Sequence, residues 1–479
     1  MKGTLILASL ICASVAVAQT PCNGGFAGEY PCNNVDLLSV MTYQELGGEE
    51  NGNDIWGWTD PTSGREFALY GMANATAFIE ITDPLNPVHI GNLYTHTVNS
   101  LWRDIKVYQN HAFIVSEAPY HGLQVFDLTQ LLTASNLPVT FSETAYYGGF
   151  GHSHNVAINE ETGFAYAVGT SGFNGGLHIV NIQDPANPVI AGDFAEDGYT
   201  HDTQVVIYNG PDTDYVGKEI AFAFNEDNVA IVNVTNKTEC VLIAHCEYSN
   251  PQYTHQGWLS PDHKLLYMDD ELDELYLGNN TRTYIYNVED LDNPQLLGYF
   301  ESELPVIDHN LYTLGSSIYQ SNYLGGLRIL DATNAAQGEL SEVAYFDTNP
   351  GVDMAEFDGS WSNYAYFPSG NVVVSTFSHF FVVRPSDEIL ALSSNELPAS
   401  GRDVLVYPNP SSDDFTLRLT SQGDLDRLTV VDLTGRMVKE IGLPNISGTV
   451  NLLLNELAPG SYVLNFPKAP ELNQVIIRN

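Results

Sequence analysis

Short apolar runs broken by turn residues recur along almost the whole 479-residue chain, and the spacing that marks amphipathic helices is nearly absent. One phrase keeps returning: two apolar residues, a short polar one, then another apolar residue. It reads Phe78-Ile79-Glu80-Ile81, Val125-Phe126-Asp127-Leu128, Ile179-Val180-Asn181-Ile182, Ile231-Val232-Asn233-Val234, Ile285-Tyr286-Asn287-Val288 and Ile329-Leu330-Asp331-Ala332, and it ends in a worn copy at Val382-Val383-Arg384. Successive copies lie 44 to 54 residues apart. Two further strand-like runs precede the phrase, such as Ile105–Val107 with Ala112–Val115. Several copies continue into a turn and a last strand, as in Thr82-Asp83-Pro84-Leu85-Asn86-Pro87 and Gln183-Asp184-Pro185-Ala186-Asn187-Pro188. Proline fixes φ and cannot donate to a ladder, so these turns mark strand ends. Each unit therefore holds about four strands.

Four-stranded units at a period near fifty predict an all-β fold, a seven-bladed β-propeller over residues 19–390. The seventh copy runs into Pro385-Ser386-Asp387-Glu388 and lacks the usual last strand. Leu37-Leu38-Ser39-Val40-Met41 has the character of that missing strand, and pairing it with the last unit would close the ring and remove two open edges.

The ends of the chain follow other rules. Lys2, the apolar run Leu5–Val17 and Ala16-Val17-Ala18 before Gln19 predict a secretory signal peptide at 1–18. No later stretch approaches the roughly 20 apolar residues of a membrane-spanning helix. Residues 391–402 are polar, with Pro and Gly, and read as a linker. Over 403–479 short strand-like runs predict a small C-terminal β-sandwich. Its phrases Tyr407-Pro408-Asn409-Pro410, Leu433-Thr434-Gly435-Arg436 and Leu457-Ala458-Pro459-Gly460-Ser461-Tyr462 resemble the C-terminal sorting domain of type IX secretion. That resemblance implies engagement with the type IX secretion machinery and a protein that is secreted, extracellular or held at the outer-membrane surface.

Composition narrows the partners. The chain carries 59 Asp and Glu against 17 Lys and Arg, a formal net charge of −42, although charged residues make up only 16% of it. The acid excess thus reflects missing cations. A field of this sign repels phosphate backbones and anionic lipid, which excludes nucleic acid and membrane surfaces as partners. Beyond the signal, Cys22, Cys32, Cys240 and Cys246 form an even set in an exported protein, the pattern of disulfides. Three pairings are open; the close pairs Cys22–Cys32 and Cys240–Cys246 are preferred, and neither has the spacing of a zinc knuckle.

A second phrase recurs at the start of four units: His154-Asn155, His201-Asp202, His255-Gln256 and His309-Asn310, at intervals of 47, 54 and 54 residues. Other units carry Asp54, Asp104 and Asp358 there. First strands line a propeller's central channel, so these side chains should converge at one end of it. Two readings compete. The side chains tie neighbouring strands by hydrogen bonds, or His154, His201, Asp202, His255, His309 and Asp104 hold a divalent cation. Imidazole favours a transition metal and carboxylate favours calcium or manganese. A metal with an open position would also activate water, making a metal-dependent hydrolase or lyase the rival to a binding role, although no residue earns a catalytic assignment. Asp269, Asp270, Glu271 and Asp273 form a further acidic knot, read as a solvated loop or as calcium ligands without the spacing of an EF-hand. Trp56, Trp58, Trp102, Trp258 and Trp361 fall mostly in first strands, where packing between units is the default and a sugar-stacking platform the alternative. No nucleophile elbow, His-Glu-x-x-His or phosphate loop is present.

Residues 21–385 resemble the exported choice-of-anchor B family with repeats of the LVIVD type. The resemblance rests on Tyr30-Pro31-Cys32-Asn33-Asn34-Val35-Asp36-Leu37, Ile55-Trp56-Gly57-Trp58-Thr59-Asp60-Pro61, Trp102-Arg103-Asp104-Ile105-Lys106-Val107 and Tyr253-Thr254-His255-Gln256-Gly257-Trp258. It implies fold and export, and no activity. The leading expectation is a secreted or surface-held binding or adhesion module for an extracellular ligand or surface polymer.

Overall fold

The computed structural model describes residues 19–393 and, beyond them, 404–407, 415–419, 427–432, 436–443, 448–452, 454, 457–458, 460–466, 468 and 474–478. The signal peptide at 1–18 and most of the linker lie outside the described residues. The chain divides into two compact units, 1–395 and 396–479.

Among the described residues, the first unit contains seven small sheets, almost wholly antiparallel. Their first strands are β1 (Gly52–Thr59), β2 (Arg103–Tyr108), β3 (Asn155–Asn159), β4 (Asp202–Ile207), β5 (Thr254–Leu259), β6 (Asn310–Leu314) and β7 (Ser360–Tyr364). Each packs beside the next, and β7 packs beside β1, so the first strands form a closed ring in a β-propeller arrangement. Cores lie between successive sheets. One joins Trp58, Phe67 and Phe78 of the first sheet to Ile105, Ile114 and Phe126 of the second. Because both faces are covered, second strands are apolar without alternation; every residue of Glu66–Met72 is buried.

The repeated phrase marks a local device in the third strand. In five sheets the register slips between its two apolar residues, at Phe78/Ile79, Ile179/Val180, Ile231/Val232, Ile285/Tyr286 and Ile329/Leu330. A bulge there adds twist to the outer pair. The polar residue that follows caps the turn. Asn181, Asn233, Asn287 and Asp331 each accept the backbone N–H two residues on, at 2.9, 3.1, 2.8 and 2.8 Å.

The N-terminal segment joins two sheets. Val35–Thr42 pairs antiparallel with His379–Pro385 and completes the seventh sheet, as the truncated last repeat requires. Just before it, Tyr30–Asn33 extends the sixth sheet along Ser341–Phe346. The Cys22–Cys32 disulfide clips this segment. The expected Cys240–Cys246 bond is not formed: both are free thiols. They bracket the extended strand Val241–Cys246, whose rise of about 3.3 Å per residue holds its ends far beyond the reach of a disulfide.

The predicted linker begins too early. Asp387–Ser393 is a short helix, and the buried Ser393 hydroxyl donates to Ile389 O at 3.0 Å and meets the Tyr319 hydroxyl at 2.6 Å. In the second unit, Val404–Tyr407, Phe415–Leu419 and Gly448–Leu452 form one antiparallel sheet. Met437–Gly442, Arg427–Asp432, Gly460–Asn465 and Gln474–Arg478 form another, and both contribute to one core around Leu417, Val430, Leu452 and Leu464.

Closure of the ring makes a quantitative prediction. Leu38 is buried against Ile55 and Val382, whereas Val40 on the same strand is exposed. Leu38→Ala should destabilise the protein by about 2–4 kcal/mol in urea unfolding, and Val40→Ala by no more than about 0.5 kcal/mol. Equal effects would mean that the strand does not hold the ring shut.

Candidate metal centre

The four histidines of the second phrase stand in a row at the start of β3 to β6. Ring centroids are 4.2 Å apart for His154 and His201, 4.3 Å for His201 and His255, and 4.6 Å for His255 and His309. Each of the last three directs Nδ1 at the backbone of the next strand: His201 to His255 O at 3.1 Å, His255 to His309 O at 3.1 Å, and His309 to Trp361 O. A carbonyl only accepts, so these Nδ1 atoms carry the proton and each Nε2 keeps a lone pair. His154 differs, its Nδ1 meeting the Glu117 carboxylate at 2.6 Å.

Glu271 faces the lone pairs. Its Oε1 is 3.6 Å from His309 Nε2 and 4.0 Å from His255 Nε2, and the donor atoms of these three residues all lie within 4.8 Å of one another. His255 Nε2 is fully buried and has no hydrogen-bond partner. Glu271 Oε1 accepts from the Tyr323 hydroxyl at 2.8 Å. Beside these groups opens a cavity of about 250 Å³, with Glu117, Tyr199, Tyr253, Tyr323 and Trp361 in its walls. Half-exposed Trp102 also lines it, and exposed Phe357 packs against Tyr323.

Burial sets the protonation. It holds His201 and His255 well below the usual imidazole range, with neighbouring imidazoles adding to the effect, and it brings His309 down to about 3. His201, His255 and His309 are therefore neutral at pH 7. Burial pushes Glu271 up to about 7, against the pull of the Tyr323 hydroxyl. Two neutral imidazole lone pairs and one carboxylate, each steadied by a second bond, form a donor set suited to a divalent transition metal.

The other predicted ligands are occupied elsewhere. His154 and His201 share the row but not the three-donor group. Asp269 Oδ1 lies 3.2 Å from His255 Nδ1 and accepts Gln256 N–H at 2.9 Å. Asp270 accepts the N–H groups of Gln252 and Tyr253 at 2.8 and 2.7 Å and the Tyr248 hydroxyl at 2.7 Å. Asp273 accepts from the Tyr284 hydroxyl at 3.1 Å. The acidic knot is not a solvated loop: Asp269, Asp270, Asp273 and Glu274 are all buried.

Asp104 and Asp202 belong to a different group, centred on Lys106. Lys106 Nζ lies 2.6 Å from Asp104 and 4.0 Å from Asp54. Asp54 Oδ2 accepts Ile105 N–H at 3.3 Å, and Asp104 Oδ2 accepts Val156 N–H at 2.7 Å. Burial, then Asp104, raise Asp202 to about 7, with Lys106 opposing. Asp358 is exposed and joins neither group. Sequence reasoning passed over Tyr199 and Tyr253, although each stands two residues before a row histidine, at the same 54-residue spacing.

Residues 405–478 match the family of secretion system C-terminal sorting domains. The protein is accordingly secreted or displayed at the cell surface, and its tail engages the secretion machinery. Among the described residues no helix is long and apolar enough to cross a membrane. No curated protein matches the chain. Among solved structures, it is similar to the β-propeller domain of Myceliophteria thermophila Cps50 (Swd1), at 10% identity and a TM-score of 0.48, covering 73% of this chain and 99% of that one. It is also similar to a protein from Lactobacillus plantarum, at 14% identity and a TM-score of 0.46, covering 84% and 99%.

The Lys106 group gives this site its prediction. Asp202 holds a proton in the folded state between the ordinary carboxylate range and about pH 7, so its contribution to stability is lost as pH rises through that window. Removing the cation shifts Asp54 and Asp104 the same way. Lys106→Met should cost about 3 kcal/mol or more at pH 7, with a smaller deficit at pH 5, measured by urea unfolding at both. A deficit that grows on acidification would contradict the assignment.

Proposed function

We propose that the first unit is a seven-bladed β-propeller that acts outside the cell as a ligand-binding module and holds a divalent transition-metal ion at one mouth of its channel. The ion's ligands are His255 Nε2, His309 Nε2 and a Glu271 oxygen. The observation that carries this reading is the buried, unpartnered Nε2 of His255, facing two further donors within 4.8 Å. Such an atom costs about 1–3 kcal/mol when it meets neither water nor a partner, and a cation accounts for it. The open side of the ion would face the tyrosine-lined cavity, where an extracellular ligand completes the coordination.

The LVIVD-type phrases make the choice-of-anchor B family part of the same reading, with the second unit a sorting sandwich. A hydrolase or lyase built on a combined ring of His and Asp gains less support, because Asp54, Asp104 and Asp202 gather at Lys106 instead of at the imidazoles.

Metal-free protein titrated with zinc should take up one equivalent by calorimetry, with elemental analysis giving the same stoichiometry. Glu271→Gln and His309→Gln should each weaken uptake by more than the roughly tenfold loss typical of removing a merely supporting partner. Absence of stoichiometric binding, or unchanged binding in both variants, would overturn the site.

A further inference from the structure

The ring has a second mouth with different chemistry. Residues just before the inner strands, Trp102, His154, His201, Tyr253 and His309, line the imidazole cavity, while residues within and beyond the strands line two other cavities of about 310 and 390 Å³. These two share Trp56, Glu160, Gln204, Trp258 and His263, so they form one continuous groove. Neither has a wall residue in common with the imidazole cavity.

Aromatic side chains dominate this groove. Trp56 meets Tyr312 and Tyr364 edge to face at 5.7 and 5.1 Å, and Trp258 meets Tyr312 at 5.1 Å. The edge-to-face packing fixes the rings relative to one another. Packing alone would bury them, yet Trp56, Trp258, Tyr364 and Tyr366 all remain only half-buried and border the open space. Between them stand hydrogen-bonding groups: Thr203, Gln204 and Gln256 in the wall, with Glu160 and His263 toward the outside. Each volume lies within the range of about 300–1,000 Å³ typical of small-molecule sites.

Charge selects among ligands. Lys106 is the groove's cation, and it is already bound to Asp104 at 2.6 Å and covers the Trp56 ring at 4.5 Å. Glu160, Glu161 and Asp202 line the same space, so an anion meets repulsion with no free counter-charge. A wholly apolar ligand would cover the carboxylates of Glu160, Glu161 and Asp202 without offering them a hydrogen bond, which is costly. A neutral sugar satisfies both demands: its C–H face covers an indole while its hydroxyls bond amide, carboxylate and imidazole. We propose that this groove is a binding site for neutral oligosaccharides, with Trp258 as the stacking platform, Trp56 as an aromatic wall, and Gln204, Glu160 and His263 as hydroxyl partners.

The test uses the mature full-length protein, with cellohexaose, laminarihexaose and mannohexaose as probes and hexagalacturonate and choline as charged comparisons. Binding is read by calorimetry and by tryptophan fluorescence. At least one neutral hexasaccharide should bind saturably, and Trp258→Ala should weaken it by about tenfold or more, or 1.4 kcal/mol. If Trp258→Ala fails to fold, Glu160→Ala, on the exposed rim, carries the same test and should weaken binding measurably. No binding of any neutral hexasaccharide, binding only of hexagalacturonate or choline, or an affinity unchanged in folded Trp258→Ala and in Glu160→Ala would overturn the proposal.

Discussion

One bond type recurs around the ring: a side chain at the start of an inner strand bonds the backbone of the next. Asp54 and Asp104 accept N–H groups of Ile105 and Val156, Asn155 donates to His201 O, and Asn310 donates to Trp361 O. Gln256 both accepts from Leu311 N–H and donates to Leu311 O, at 3.0 and 3.1 Å. Inner strands are the channel-side edges of their sheets, so their outward N–H and C=O groups have no ladder to join. Buried backbone groups of this kind need partners, and the neighbouring sheet's side chains supply them.

The histidines obey the same constraint, which changes how they should be read. A structural tie and a ligand site look like rival explanations of a repeated histidine. Here one imidazole has a nitrogen for each role, because its two nitrogens face different ways. Nδ1 holds the next strand and is thereby protonated, and that same bond leaves the Nε2 lone pair directed at Glu271. A residue held by the fold is also pre-oriented for a cation, without the entropy cost of ordering a loose side chain.

Much of this was legible as spacing. The phrase period marked the sheets, because each copy places a bulge and a capped turn at the same point of a third strand. The 47- and 54-residue intervals put the histidines in one row. Spacing could not say which carboxylate meets that row. Glu271 arrives from beyond the second strand of the fifth sheet, and its neighbours Asp269 and Asp270 point into backbone N–H groups instead. Nor does net charge reveal burial: a run rich in acid reads as solvated until its partners, Tyr248 and Tyr284 among them, are brought in from elsewhere. The pair Cys240 and Cys246 misled for a related reason, since closeness in sequence means separation when the segment is a strand. Met437–Gly442 carries little strand signal in sequence, because a partly exposed edge strand needs few apolar residues: of these, Val438 and Ile441 reach the core.

Strand β5 shows how one six-residue segment gives the ring two unlike mouths. His255 reaches the Glu271 side, Gln256 holds β6, and Trp258 reaches the aromatic groove. Between them Gly257 is obligatory, since a Cβ there would stand 2.3 Å from Tyr267 O and 2.7 Å from the Phe224 ring. The register shifts between Thr254 and Gly257, which lets the adjacent His255 and Gln256 both reach the backbone at the start of β6. Each mouth can therefore change its chemistry only through atoms that the ring does not use, the imidazole Nε2 at one end and the exposed part of Trp258 at the other. A protein under selection for a new ligand would vary Glu271 or Glu160 long before His255 or Gln256, because the latter pair hold the strands that give either mouth its shape.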